Sequence, residues 1–370
     1  MLTRRSFFKA AGMGAAVAAA SATFPTELLS RTEPPRLPHP GGPILLNSNE
    51  NAYGPFPSVL AMGNPFQDAN RYPDHQSDLL SERIAALHKV GTGQVVTGCG
   101  STEILRMAAN AFTGPGKKLI MAAPTFEAIG SYGDVVRANV IKVPLAANFT
   151  HDLGAMLKAA GPETGLVYIC NPNNPTGNLT PRADLEDFIA KLPKNTRVLV
   201  DEAYHDFVGA NPEYISFLDR PLSDSRVIVA RTFSKIYGLA GMRCGYGVAA
   251  QETAEQMRPH RLDDSLNALV IRCALISLDD AAGHQQAQRR NAADRDEFMR
   301  QAAARKLQVI PSSTNFVMVN SNRPTASVID HFRANNIEIG RPFPPMDTYA
   351  RISLGKPEEM KEFWRVWDLL

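Results

Sequence analysis

The sequence predicts an α/β fold: a mostly parallel sheet sandwiched by helices, followed by a smaller α+β domain. Three observations predict it. Short β-branched runs alternate with helically spaced apolar residues along the chain up to about Gln251. The most distinctive polar segments fall directly after the predicted strands, where parallel α/β sheets place their ligands. Beyond Gln251 the alternation gives way to a long polar helix and then to strands mixed with helices.

Composition sets the outer bounds. The 370 residues suffice for one large domain and a smaller one. With 39 Lys+Arg against 37 Asp+Glu, the net charge of +2 gives no support for a nucleic-acid partner. Hydrophobic residues at 44% and charged residues at 21% suit a folded core. Cys99, Cys170, Cys244 and Cys273 form no C-x-x-C pair, so no metal site is expected. No apolar run reaches the ~18 residues of a spanning helix, so no stable membrane insertion of the mature chain is expected.

The chain opens Met1-Leu2-Thr3-Arg4-Arg5-Ser6-Phe7-Phe8-Lys9, then runs through small apolar residues to Ala20-Ser21-Ala22. A charged start, a short apolar core and an A-x-A end read as a secretory signal. The paired arginines resemble the twin-arginine export motif. The expectation is a signal over residues 1–22, a Pro-rich linker over 23–43 and a mature protein exported to the periplasm. An N-terminal arm is expected over 44–75, a large domain over 76–255 and a small domain over 256–370.

Strands are expected at 94–97, 118–122, 140–143, 166–170, 197–200 and 226–230. Helical spacing of Ile104, Leu105, Ala108 and Ala111 places a helix at 101–112. Pro181 opens another at 181–191. In the C-terminal part, 281–306 reads as a long polar helix, 315–319 as a strand core, 326–335 as a helix and 351–354 as a short strand.

Three segments follow the strands of the large domain. They are Asn171-Pro172-Asn173-Asn174-Pro175-Thr176-Gly177, Asp201-Glu202-Ala203-Tyr204, and Arg231-Thr232-Phe233-Ser234-Lys235-Ile236, which continues to Arg243. Each alone has a plain reading: a turn, a helix cap, a surface lysine. Together, in this order, they resemble the fold-type I aminotransferases that use pyridoxal 5′-phosphate (PLP), and most nearly the histidinol-phosphate aminotransferase-like branch. The resemblance runs from about Leu46 to Leu354.

The resemblance implies roles. Lys235 would form the Schiff base with PLP and shuttle the substrate's Cα proton, tasks suited to an amine whose environment can lower its pKa. Asp201 would keep the pyridine nitrogen protonated, making the ring an electron sink. Tyr204 and Asn174 would hydrogen-bond the ring oxygen, and Phe126 would stack on the ring. Arg243, with Thr232 or Ser234, would grip the phosphate. Gly100, Ser101 and Thr102 open a helix whose free N–H groups suit the same anion. Tyr72, in Asn70-Arg71-Tyr72-Pro73-Asp74, would reach the cofactor of a neighbouring subunit, implying a homodimer.

Asn49 and Tyr53, in Asn47-Ser48-Asn49-Glu50-Asn51-Ala52-Tyr53-Gly54-Pro55, would border the substrate. Arg351 would grip its acidic group, with Arg341 as a second candidate. Two residues depart from the family pattern: Phe126 stands where tyrosine is common, and Ile236 where a small residue usually follows the lysine.

The expected activity is transfer of an amino group from an amino acid, or a histidinol-phosphate-like amine, to a 2-oxo acid. A PLP-dependent lyase, decarboxylase or oxidase would share the same motifs. A non-catalytic binding protein on this fold is the third reading. Export sits poorly with a phosphorylated biosynthetic intermediate, so the amino acid is the favoured substrate.

Overall fold

The computed structural model describes residues 42–219 and 224–370. The signal expected over 1–22 and nearly all of the linker lie outside these residues. Residues 43–370 form one compact unit. Among the described residues, no helix is long and apolar enough to cross a membrane.

A short strand, β1 (Ile44–Leu46), comes first. The central sheet is built from β2 (Val95–Gly98), β3 (Lys118–Ala123), β4 (Asn139–Pro144), β5 (Thr164–Cys170), β6 (Arg197–Asp201), β7 (Val227–Thr232) and β8 (Gly245–Ala249). Its seven strands run in the order β2-β8-β7-β6-β5-β3-β4. Pairings from β7 through to β4 are parallel, and β8 lies antiparallel between β7 and β2. Strand order reverses between β3 and β5, the crevice where a ligand is accommodated in such sheets. β5 and β7 are buried along their whole length, as central strands covered on both faces must be.

All six strands read from the sequence are present, within a residue or two at their ends. β8 escaped that reading because its Gly-Tyr-Gly-Val-Ala run has low β propensity. Packing demands the glycine: a Cβ on Gly245 would fall 2.3 Å from the backbone nitrogen of Ser101. The helix Ser101–Phe112 therefore seats directly on β8. The helices Asp74–His88 and Ala268–Asp279 were also not anticipated.

After β8 the chain builds a second layer. β9 (Gln308–Ile310), β10 (Phe316–Asn320) and β12 (Tyr349–Ser353) form an antiparallel sheet in the order β12-β10-β9. β11 (Ile337–Ile339) pairs in parallel with β1, which ties the expected arm to the C-terminal layer. Leu46, Phe298, Val317, Phe332, Ile352, Phe363 and Trp364 share its core. Helix Ala268–Asp279, placed in the small domain from sequence, instead contributes Val270, Ile271 and Ala274 to the cluster beneath the large sheet. Its apolar face is satisfied there, against Leu80 and Ile84, so the change of core falls after this helix rather than at residue 256.

Candidate active site

The three polar segments converge because β5, β6 and β7 are adjacent and in parallel register. Cys170 pairs with Asp201, and Asp201 with Ala230, so β5 and β6 end at one level and β7 runs two residues further, to Thr232. Above them lies a cavity of about 680 Å³. Ser101, Thr102, Phe126, Asn174, Asp201, Tyr204, Thr232, Ser234, Lys235 and Arg243 line it from the large sheet. Asn49, Arg341 and Arg351 line it from the arm and the C-terminal layer.

One end is an anion cradle. Arg243 Nη1 donates to Ser234 Oγ at 3.1 Å, and its Nη2 to Thr102 Oγ1 at 3.3 Å. Thr232 Oγ1 donates to Ser234 Oγ at 3.0 Å. The helix Ser101–Phe112 begins here, so its first N–H groups and positive dipole end add to the guanidinium. Gly100 does not line the cavity, yet it makes the cradle. Its φ is +75°, and a Cβ would fall 2.2 Å from Arg243 Nη2, filling the space the arginine uses. A phosphate ester fits a cradle of one guanidinium, several hydroxyls and a bare helix terminus.

At the other end of the floor stand an amine and a carboxylate. Lys235 Nζ donates to Asn49 O at 3.1 Å. Burial, and then the cationic Arg351 nearby, lower its pKa from 10.5 to about 8. The Asp201 carboxyl is raised from 3.8 to about 6, chiefly by burial, against hydrogen bonds that favour its charged form. Those bonds come from Tyr168 OH to Oδ2 at 2.8 Å and from the Ala203 N–H to Oδ1 at 3.1 Å. Tyr204 OH accepts from Asn49 Nδ2 at 3.1 Å, which leaves its own proton for another acceptor. Burial pushes that phenol well above its usual range.

Arg351 sits in the opposite wall. Its Nη1 donates to Asn174 Oδ1 and its Nη2 to Asn47 O, each at 2.7 Å, while Nε has no partner. The guanidinium lies 4.8 Å from the Phe343 ring centroid. Desolvation brings its pKa down to about 10. The bond to Asn174 links two residues far apart in sequence and was not legible from either motif. Arg341 stands at the rim, paired with Glu127 at 2.6 Å.

Two expected site residues lie elsewhere. Tyr53 does not border this cavity. Its hydroxyl donates to Asp294 Oδ2 at 3.1 Å, and the Arg290 guanidinium covers its ring at 4.1 Å. The chain turns away at Gly54, φ +76°, whose carbonyl packs where a side chain on Gly238 would need to be. Tyr72 is also absent from the cavity of its own chain; it is 79% exposed, beside Pro73, Leu266 and Arg272. Ile236 turns into a cluster with Tyr204, Phe207 and Phe316, so its bulk stays out of the cavity. Glu50 lines the cavity from the Asn47–Pro55 segment already read as bordering the substrate, whereas sequence reading missed Cys170, Arg333, Glu338 and Phe343. Only Cys170, at the end of a predicted strand, carried a positional signal.

A phosphate cradle, an amine of lowered pKa and a buried carboxylate around one cavity are what pyridoxal 5′-phosphate requires, and on this sheet they define a PLP-dependent enzyme. The model of the aminotransferase class I and II family matches residues 42–366, and the chain belongs to that family. It is a PLP-dependent aminotransferase, and its substrates are small molecules.

Among its relatives is a histidinol-phosphate aminotransferase of Moorella thermoacetica, 35% identical over 325 residues, covering 87% of this chain and 84% of the relative. Another, from Shouchella clausii, is 34% identical over 329 residues, covering 86% and 87%. The crystal structure of the Sinorhizobium meliloti histidinol-phosphate aminotransferase in complex with pyridoxal-5′-phosphate superimposes with a TM-score of 0.81 at 25% identity. It covers 96% of this chain and all of the other.

Proposed function

We propose that this aminotransferase works outside the cytoplasm as a homodimer, moving the amino group of a carboxylate-bearing amino acid to a 2-oxo acid. The observation that carries the reading is one cavity with Lys235 and Asp201 on its floor, an anion cradle at one end and a buried arginine in the facing wall.

When bound, the cofactor supplies an electron sink for the charge left on the substrate's Cα as its proton departs. Arg243, Ser234, Thr232, Ser101 and Thr102 hold its phosphate. Asp201 holds a proton on its ring nitrogen. Tyr204 and Asn174 orient its ring oxygen, and Phe126 flanks the ring. Lys235 carries the cofactor at rest and moves the proton at Cα; an amine with a pKa near 8 is suited to both tasks.

Arg351, whose guanidinium lines the wall facing Lys235, binds the substrate carboxylate. The relatives' phosphorylated substrate is the other reading. The Arg341 fork supports the amino acid, because Glu127 already compensates its charge. That leaves Arg351 as the main anion receptor for a singly charged group. The exposed Tyr72, with Phe66 beside it at 68% exposure, supports a dimer in which Tyr72 reaches the partner's cofactor phosphate. Arg4 and Arg5 support export of the folded, loaded protein.

A screen of the purified enzyme tests the substrate. Amino acids and histidinol phosphate are offered singly, and the visible spectrum is followed through half-reactions with 2-oxo acids. Conversion of histidinol phosphate alone overturns the amino acid reading; a decarboxylated product without amino transfer overturns the reaction. Replacing Arg4 and Arg5 by lysine should hold the loaded precursor inside the cell. Unchanged export rejects the twin-arginine route. A monomer in sedimentation, with full PLP occupancy in Tyr72→Phe, rejects the shared site.

A further inference from the structure

We infer that Tyr168 is a positioning residue for the cofactor: its hydroxyl holds the Asp201 carboxylate ionised and aimed at the ring nitrogen. The inference rests on the proposed pairing of Asp201 with that nitrogen.

Every residue of β5 (Thr-Gly-Leu-Val-Tyr-Ile-Cys) is buried, and a central parallel strand of this kind ordinarily carries only apolar side chains. Alternation puts Leu166, Tyr168 and Cys170 on one face, and the register sets that face beside Leu199 and Asp201 of β6. Tyr168 is completely inaccessible to solvent. A phenylalanine would fill the same space, so the hydroxyl is the chemically significant atom. A buried phenol needs a partner, and this one donates to Asp201 Oδ2 at 2.8 Å. With the Ala203 N–H on Oδ1, the carboxylate has one donor on each oxygen and cannot rotate without losing both.

The electrostatic consequence has a definite sign. Donation to a carboxylate stabilises its charged form, and burial opposes this. Asp201 also faces Cys170 from β5, Glu202 and Tyr204 from its own segment, and Lys235 from the loop after β7. Of these, Lys235 favours the carboxylate and Glu202 disfavours it. Removing the Tyr168 hydroxyl makes Asp201 a stronger base. The proton shared with the ring nitrogen then moves toward the carboxylate, and the ring becomes a poorer electron sink.

Tyr168→Phe holoenzyme tests this, with wild type and Asp201→Asn alongside. The cofactor is labelled at its ring nitrogen and observed by nitrogen NMR across pH. In Tyr168→Phe the resonance should move toward the unprotonated position, kcat should fall about tenfold and KM for the amino donor should stay within about twofold. An unchanged resonance overturns the inference, whether kcat is unchanged or falls together with thermal stability. In the second case the hydroxyl serves packing alone. If Asp201→Asn keeps a protonated ring and wild-type turnover, the reading of Asp201 itself fails, and the inference with it. A defective Asp201→Asn beside a wild-type Tyr168→Phe rejects Tyr168 only.

Discussion

The floor and the mouth of the cavity are built on different principles. The floor comes from the ends of adjacent strands and one helix terminus. Asp201 is buried and Lys235 half-buried, and the pKa values of these two are displaced toward neutrality: Lys235 down to about 8 and Asp201 up to about 6. The mouth comes from the arm, the loop after β3 and the C-terminal layer. Its rim pair, Arg341 and Glu127, has side chains 52% and 59% exposed. Arg351 bridges the two regions through Asn174. Chemistry common to a cofactor is held by a rigid sheet at the base of the cavity, where partial burial strengthens electrostatic effects. Substrate choice is left to exposed groups, where each interaction is weak and readily altered.

Substitutions at four positions break or sharpen this contrast. The largest effect belongs to Lys235→Ala, which should abolish turnover and the adduct that borohydride fixes on wild-type Lys235. Peptide mapping that finds the cofactor on another lysine rejects the assignment. In wild-type apoprotein, the rate of cofactor uptake should rise with pH to a midpoint near 8, because only the neutral amine is nucleophilic. A midpoint near 10.5 would show that burial does not tune this amine.

Asp201→Asn should retain much of the PLP, since the phosphate cradle is untouched, and lose turnover by about 100-fold or more. It also carries a stability signature. The folded carboxyl's pKa is raised from 3.8 to about 6, so the folded state holds the proton more tightly than the unfolded chain. The resulting penalty is present above about pH 6 and fades as pH falls through that value toward 4. In the apo form, Asp201→Asn should therefore gain stability over wild type at pH 7.5 relative to pH 4.5. The difference is on the order of 2 kcal/mol, because about a third of the full penalty persists at pH 4.5. Denaturant titration at the two pH values measures it, and equal differences reject the buried-carboxylate account.

Arg351→Ala comes next. Truncating one partner of a desolvated charge pair costs ~2–5 kcal/mol, so kcat/KM should fall by roughly 30-fold or more. PLP should be retained, with a small spectral shift because Asn174 loses a hydrogen bond. Arg351→Lys should recover activity in part only, since an ammonium lacks the fork. Loss of PLP in Arg351→Ala would place this arginine with the floor instead. The smallest effect is at the rim. Glu127→Ala frees Arg341, and an exposed pair is worth about 1 kcal/mol or less. It should raise kcat/KM for doubly charged donors by fivefold at most, relative to monocarboxylic amino acids. No change in that ratio would remove Glu127 from substrate selection.

Much of the floor is legible in the sequence. Asn174, Asp201, Tyr204, Lys235 and Arg243 lie in contiguous motifs after predicted strands, and strands of alternating α/β pattern have few ways to assemble. Local pattern therefore determined the parallel sheet, the helix at Gly100 and the level at which these residues meet. Tertiary structure alone decided the rest. β8 depends on glycines that make room for a helix rather than on strand propensity. Helix Ala268–Asp279 joins the large core because its apolar face finds Leu80 and Ile84 there. Tyr53 was assigned by its motif and is carried elsewhere by the turn at Gly54. The contacts Arg351–Asn174, Arg341–Glu127 and Tyr168–Asp201 join segments separated in sequence. No periodicity encodes a contact between separate segments; it exists only once strand order and register have brought them side by side.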